Sequence, residues 1–159
     1  MNILIAPDSF KECLPASKVA NSIADGINKI NPNHVIEKIP ISDGGEGSIE
    51  FLKKNCDGEA VEHKTENAIG NQIMSKYFKF KNSKTAWVEL SQASGLSLID
   101  KKNRNPGLTS TYGTGLSISH AIKNGCSEII LSLGGSATND AGAGIFQALG
   151  GELLDEKSE

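Results

Sequence analysis

Two runs dense in glycine and oxygen-bearing side chains hold most of the chemistry legible in this chain. The first is Leu133-Gly134-Gly135-Ser136-Ala137-Thr138-Asn139-Asp140-Ala141-Gly142-Ala143-Gly144. Glycines there let successive backbone N–H groups face an anion, and a following helix adds a favourable partial charge. Ser136 and Thr138 can donate to oxygens, while Asn139 and Asp140 can orient a ligand or hold a cation. The simpler alternative is a strand-to-helix turn in which Ser136, Thr138 or Asp140 caps the helix; the length of the run favours a ligand site. The second run is Ser42-Asp43-Gly44-Gly45-Glu46-Gly47. Its two carboxylates could coordinate Mg2+, a cation that takes oxygen ligands, or Asp43 could accept a substrate hydroxyl proton during phosphoryl transfer. A solvated turn, with Asp43 capping and Glu46 facing the helix dipole, explains this loop equally well.

Two further segments could contribute. In Asp8-Ser9-Phe10-Lys11 the lysine could neutralise phosphate charge, although a lone loop lysine is more often simply solvated. Thr109-Ser110-Thr111-Tyr112-Gly113-Thr114-Gly115 places hydroxyls and glycines ahead of a helix, where they suit an oxyanion or serve as ordinary caps. None of these loops has the Walker A spacing. Neither Gly142-Ala143-Gly144 nor Gly113-Thr114-Gly115 reaches the third glycine of a dinucleotide fingerprint, and no nucleophile elbow surrounds Ser136. These absences count against P-loop NTPases, dehydrogenases and α/β-hydrolases. His34, His63 and His120 lie apart from the loops in sequence, and Cys13 has no identifiable base beside it.

The elements that must position the loops follow an α/β rhythm. Asn2–Ala6 reads as a buried strand stopped by Pro7-Asp8. Pro15 suits a helix start, and Val19, Ile23, Ile27 and Ile30 form one apolar stripe of the helix that follows. His34–Ile39 reads as a second strand, and 48–54 as a second helix. The middle differs: Glu59–Lys64, Ile73–Phe80 and Thr85–Leu90 alternate like strands separated by short turns, so antiparallel pairing is expected. A helix over Gly113–Asn124, closed by Gly125, then precedes a buried strand over Glu128–Leu133 and a helix over Thr138–Leu149. Gly151-Glu152-Leu153-Leu154 looks like the start of another strand. This places α/β segments at 1–55 and 106–159, with a β-rich segment of a second domain at 56–105. Helices are too few to cover both faces of a parallel sheet, and an incomplete chain is expected.

Bulk composition narrows the class. The 159 residues are 38% hydrophobic and 22% charged, as in a globular chain rather than a disordered one. A formal charge of -3 disfavours nucleic acid or an anionic membrane as partner, since both need a dense basic surface. Three scattered cysteines indicate neither a disulfide framework nor a zinc site, and point to a reducing cytoplasm. Seventeen residues are glycine, more than the roughly 7% that is typical, and they cluster in the loops above.

Taken in order, Ala6-Pro7-Asp8-Ser9-Phe10-Lys11-Glu12, Ser42-Asp43-Gly44-Gly45-Glu46-Gly47, Thr111-Tyr112-Gly113-Thr114-Gly115 and Gly134-Gly135-Ser136-Ala137-Thr138-Asn139-Asp140 resemble the glycerate kinase family of bacterial sugar-acid catabolism. Ala141 and Cys13 depart from it, standing where glycine and serine are usual. The resemblance implies two unlike α/β domains, one flavodoxin-like and one carrying the β-rich segment, with the C-terminal remainder of the family absent. It implies transfer of the ATP γ-phosphoryl group, with Mg2+, to a hydroxyl of D-glycerate. Asp43, Asp140 and Lys11 are then the catalytic candidates, with Asp43 and Asp140 also the candidate metal ligands. Asp8, Ser9, Gly44, Gly45, Glu46, Gly47, Thr111, Gly113, Thr114, Gly115, Gly134, Gly135, Ser136, Thr138 and Asn139 are the candidate phosphate or substrate contacts. A kinase for a related sugar acid and a non-catalytic, anion-binding remnant are the alternatives, and the missing half could come from a second polypeptide or a homo-oligomer.

Overall fold

The computed structural model describes residues 1–155. Strand β1 (Asn2–Ile5), helix α1 (Ala16–Ile30) and strand β2 (Val35–Lys38) form one β-α-β unit. β1 and β2 pair in parallel, from Asn2 opposite Val35 to Ile5 opposite Lys38, and parallel neighbours need a crossover such as α1 between them. The helix is flanked by Pro15 and by Asn31, just before Pro32, a residue that disfavours helical backbone in its predecessor.

The apolar stripe of α1 is not what the spacing implies. Ala20 and Ala24 pack on Ile5, with Ile3, Ile27 and Ile36 beside them, whereas Ile23 and Ile30 are 43% and 89% exposed. The small side chains bring the helix axis close to a sheet of only two strands, which is too narrow to cover the longer residues. For the same reason β1 is not a buried strand throughout: of its four residues only Ile5 is buried.

Helix α2 (Ser48–Asn55) buries Ile49 and Leu52 against Phe78, flanked by Phe51, Phe80 and Trp87. Strands β3 (Gly58–Glu66), β4 (Gln72–Phe80) and β5 (Thr85–Glu89) pair antiparallel, as their alternation implies. Strand β6 (Glu128–Ser132) pairs in parallel with β5, from Thr85 opposite Glu128 to Glu89 opposite Ser132, giving the order β3-β4-β5-β6. The strand after residue 106 therefore shares a sheet with the β-rich middle, not with β1 and β2.

Between β5 and β6 the chain forms the short helix α3 (Ser91–Ser94), two 3-10 turns and helix α4 (Tyr112–Lys123). α4 packs Ile118 and Ala121 on Tyr77, Ala86, Val88 and Cys126, and Gly125 follows it in the left-handed region at φ 86. Three expectations change at this end of the chain. β6 is half open, with Ile130 38% and the following Leu133 69% exposed, because no further strand covers its outer edge among the described residues. Helix α5 spans Ala143–Ala148 instead of starting at Thr138, since Ala141 and Gly142 take φ 52 and 82 and break helical geometry. Residues 151–155 form no strand. No helix among the described residues is long and apolar enough to cross a membrane.

Candidate functional site

The fold brings the two glycine-rich loops into backbone contact. Gly44 and Gly45 lie against Ser132 and Gly134, and a methyl group placed on Gly134 would overlap the Gly45 Cα and stand 3.1 Å from its nitrogen. The paired glycines are thus needed where two loops touch. The outer loop is self-contained. Asp43 Oδ1 accepts the Gly45 N–H at 2.8 Å, and Ser42 Oγ accepts the Gly44 N–H at 3.3 Å. Glu89 Oε1 accepts the Gly47 N–H at 3.1 Å. Asp43 itself is exposed, and its second oxygen has no protein donor among the described residues.

The second loop is tied down on one side and open on the other. Ala137 N–H donates to the Ser94 carbonyl at 2.9 Å, and the Leu96 N–H to the Gly135 carbonyl at 2.8 Å. Ser136 Oγ and Thr138 serve one another within a local turn. Three consecutive N–H groups, of Gly134, Gly135 and Ser136, donate to no protein acceptor among the described residues. Gly135 takes φ 62, and a Cβ placed on it would lie 3.2 Å from Glu46 Oε1, so the Glu46 carboxylate borders these amides. Asn139 is exposed nearby.

Asp140 does a different job from the one its type suggests. Its Oδ2 accepts the Thr111 N–H at 2.8 Å, the Thr111 hydroxyl at 2.9 Å and the Gly144 N–H at 3.1 Å; its Oδ1 accepts the Gly142 N–H at 3.3 Å. Partial burial pushes the carboxyl pKa up, but the hydrogen bonds from Thr111, Gly144 and Gly142 outweigh it and hold it below the ordinary value. The side chain thereby caps α5 and pins it to the start of α4. The 111–115 segment is likewise spent on packing. Thr111 and Thr114 are buried; Thr114 Oγ1 meets Ser94 Oγ at 2.8 Å. Gly113 lies against the Glu66 carbonyl, while Gly115 lies against Ile145 and Ala148.

The loop after β1 forms the other rim. Asp8 Oδ1 accepts the Ser9 N–H at 2.6 Å. Lys11 is exposed, with no bonded partner among the described residues. Glu12, at φ 56, is ion-paired with Arg104, whose hydrogen bond and charge hold its carboxyl below the ordinary range. Between this loop, the end of β2 and α2 lies a cleft of about 650 Å³, lined by Ser9, Phe10, Pro40, Glu46, Gly47 and Phe51 among others. Ser9, Phe10, Glu12, Glu46 and Gly47 thus face one cleft, which Asp43, Lys11 and 133–139 do not line among the described residues. Gly134 and Gly135 meet the 42–47 loop at Gly45 and Glu46, and 111–115 packs against Glu66 and α5.

One buried residue was missed from sequence. Glu89 is only 1% exposed and faces the start of α2. Its signal was available: in β5, Ala86 and Val88 face the α4 core, while Trp87 and Glu89 project to the other face, so a carboxylate stands where an apolar residue is expected.

The carboxylates fit Mg2+ unevenly. No group of three or more potential ligands occurs among the described residues. Asp140 Oδ2 is engaged by Thr111 and Gly144, whereas Asp43 keeps one oxygen without a protein donor among the described residues, so Asp43 is the carboxylate better placed to hold a cation.

The model of the glycerate kinase family matches residues 3–159. A glycerate kinase of Halalkalibacterium halodurans is 45% identical over 157 residues, covering 99% of this chain and 41% of the relative. The glycerate 2-kinase of Escherichia coli K12 is 41% identical over 155 residues, covering 98% of this chain and 41% of its own length. A crystal structure assigned as glycerate kinase 2 of Salmonella typhimurium LT2 superposes with a TM-score of 0.73 at 40% identity, covering all of this chain and 42% of that one. The fold is that of a mixed α/β protein. The chain belongs to the glycerate kinase family, and it spans about 41% of the length of the curated relatives it matches.

Proposed function

We propose that this chain forms the N-terminal part of a glycerate kinase, an ATP-dependent phosphotransferase acting on a hydroxyl of D-glycerate. The observation that carries the reading is the run of three unsatisfied amides at Gly134–Ser136, held beside the Asp43 loop by the Gly45–Gly134 contact. Successive free N–H groups stabilise phosphate or carboxylate oxygens without reorganising. Asp43, with one unengaged carboxylate oxygen, accepts the substrate hydroxyl proton as the substrate oxygen attacks the γ-phosphorus and ADP leaves. Lys11, exposed and without a bonded partner among the described residues, is the cation available to offset phosphate charge. Asp140 serves positioning, because three donors from Thr111 and Gly144 hold its Oδ2 against the starts of α4 and α5. Mg2+, when bound, would supply charge neutralisation on the nucleotide phosphates.

The two sheets form the cores of the two domains: β1 and β2 with α1 in one, β3 to β6 with α4 in the other. A cytoplasmic setting fits three cysteines that are all free.

A coupled ADP-release assay with ATP, Mg2+ and D-glycerate tests the reading, run alongside a panel of related sugar acids. Asp43→Asn is expected to lower turnover by about 10²–10⁴-fold, the range for a general base. Wild-type turnover in Asp43→Asn overturns the base assignment. Binding of phosphate by the 134–136 amides with no turnover in the unsubstituted chain supports the alternative of an anion-binding remnant.

A further inference from the structure

We infer that Glu89 is a positioning residue for the Asp43 loop: its buried carboxylate fixes the start of α2, and with it the direction in which Asp43 points. The inference rests on the proposed role of Asp43. Glu89 Oε1 accepts the Gly47 N–H at 3.1 Å, the Ser91 hydroxyl at 2.6 Å and the Gln92 side-chain amide at 3.2 Å. Its Oε2 accepts the Ser48 hydroxyl at 2.8 Å and the Ile49 N–H at 3.2 Å. Five donors converge on two oxygens, and none of the ion pairs among the described residues includes Glu89.

A buried carboxylate without a cation is costly unless such donors satisfy it, and the positive end of α2 adds a favourable interaction. An apolar residue of similar volume would serve packing alone at less desolvation cost. What the carboxylate adds is geometry. Gly47 takes φ 93, as Gly44 takes φ 92, so the loop carries two left-handed residues between Asp43 and the helix, and the far end is held by Glu89. The network continues through Ser48, whose hydroxyl accepts from Trp87 Nε1 at 2.9 Å and lies 3.5 Å from Ser132 Oγ. Ser132 ends β6, and the open amides begin two residues later. One carboxylate thus sets both glycine loops. Its occupation of the Gly47 and Ile49 N–H groups also withdraws those two amides from any anion.

The test compares Glu89→Gln and Ser91→Ala with the unsubstituted chain, by amide hydrogen exchange and by the ADP-release assay. Glu89→Gln keeps the shape and one acceptor oxygen. It is expected to speed exchange across 43–49 by about tenfold or more while leaving β3–β4 unchanged. It is also expected to lower kcat by about 10–100-fold, with KM for ATP within about threefold, as for a roughly 1 Å misplacement of a reacting group. Unchanged exchange at 43–49 overturns the inference, and so does unchanged kcat. If Glu89→Gln also loses protection in β3–β4, Ser91→Ala decides: it withdraws a single donor, and faster exchange confined to 43–49 supports the role, while none refutes it. Absence of turnover in the unsubstituted chain counts against the kinase reading alone, since the exchange pattern still reports on Glu89.

Discussion

Replacing Gly134 by alanine isolates the contact on which the candidate site depends. Gly134 is absent from the residues with positive φ, so its backbone accepts alanine, and the whole effect comes from the new methyl group. That methyl would overlap the Gly45 Cα and lie 3.1 Å from the Gly45 nitrogen, where an unstrained contact needs about 3.5–4.0 Å. The atoms in the way are backbone, with no side-chain rotamer to give, so the two loops must separate by roughly 1 Å. Overpacking of this kind costs about 1–3 kcal/mol. For a chain of this size that corresponds to a fall in Tm of roughly 2–4 °C per kcal/mol. A displacement of that size between a base and the group holding its substrate reduces turnover by about a hundredfold. Gly26→Ala is the matched control. It lies within α1 with nothing within 4 Å of the added methyl, and helix propensity alone is expected to raise stability by about 0.5–1 kcal/mol. Differential scanning calorimetry and the ADP-release assay on both variants check the pair. Gly134→Ala with the Tm and turnover of the unsubstituted chain would refute the contact's importance.

Two pH-dependent expectations complete the set. Asp140 has its pKa held below the ordinary carboxyl value of about 3.9. Its contribution to stability is therefore present above that value and lost as pH falls through the lower folded-state pKa; Asp140→Asn should lower the urea midpoint at pH 6 and flatten its decline on acidification, and an unchanged decline argues against the cap. His63 is buried, stacked on His120 at 4.8 Å, and bonded to Ser117 through Nε2 at 2.9 Å; burial and the His120 charge lower its pKa. The unfolded chain then binds the proton first, so stability declines as pH falls through about 6.5 towards the lower folded-state value. Melting curves at pH 7.5 and 5.5 should show this decline, with a shallower one in His63→Phe; equal declines in both proteins would reject it.

Much of the fold follows from patterns visible in the chain. Alternation alone places β3, β4 and β5 and their antiparallel pairing, and Pro15 and Gly125 mark helix ends where the structure has them. Local patterns mislead where a residue's partner is distant. Asp140 reads as either a ligand carboxylate or a helix cap, and the bond to Thr111, 29 residues away, is invisible in the local pattern. Gly113 and Gly115 resemble a phosphate loop, but the first is cut away for the Glu66 carbonyl and the second for α5. The stripe on α1 overstates burial at Ile23 and Ile30 because periodicity records which residues share a face, not how wide a surface that face meets. In the glycine loops themselves, composition reveals the pairing of small residues, but not which amides side chains occupy: Gly44, Gly45 and Gly47 are taken, and Gly134, Gly135 and Ser136 are open among the described residues. Glu89 is hardest to see, since a single carboxylate closing a strand looks like the step into a turn.

The Ser48–Ser132 approach joins residues 84 apart in the chain, and that separation governs when the site can exist. The β3–β4 hairpin pairs nine consecutive residues across a short turn, a local contact with little loop-closure entropy. Pairing of β5 with β6 must first close the long excursion through α3 and α4, and contacts of high sequence separation are slow to form. During synthesis the Asp43 loop leaves the ribosome long before Gly134 is translated, so the hairpin stands ready as a platform while half of the pocket has no counterpart. Among the described elements, contact between the two glycine loops therefore waits on the pairing of β5 with β6. Substitutions at Gly45 or Gly134 should speed unfolding more than they slow folding, whereas changes in β3 and β4 should do the reverse.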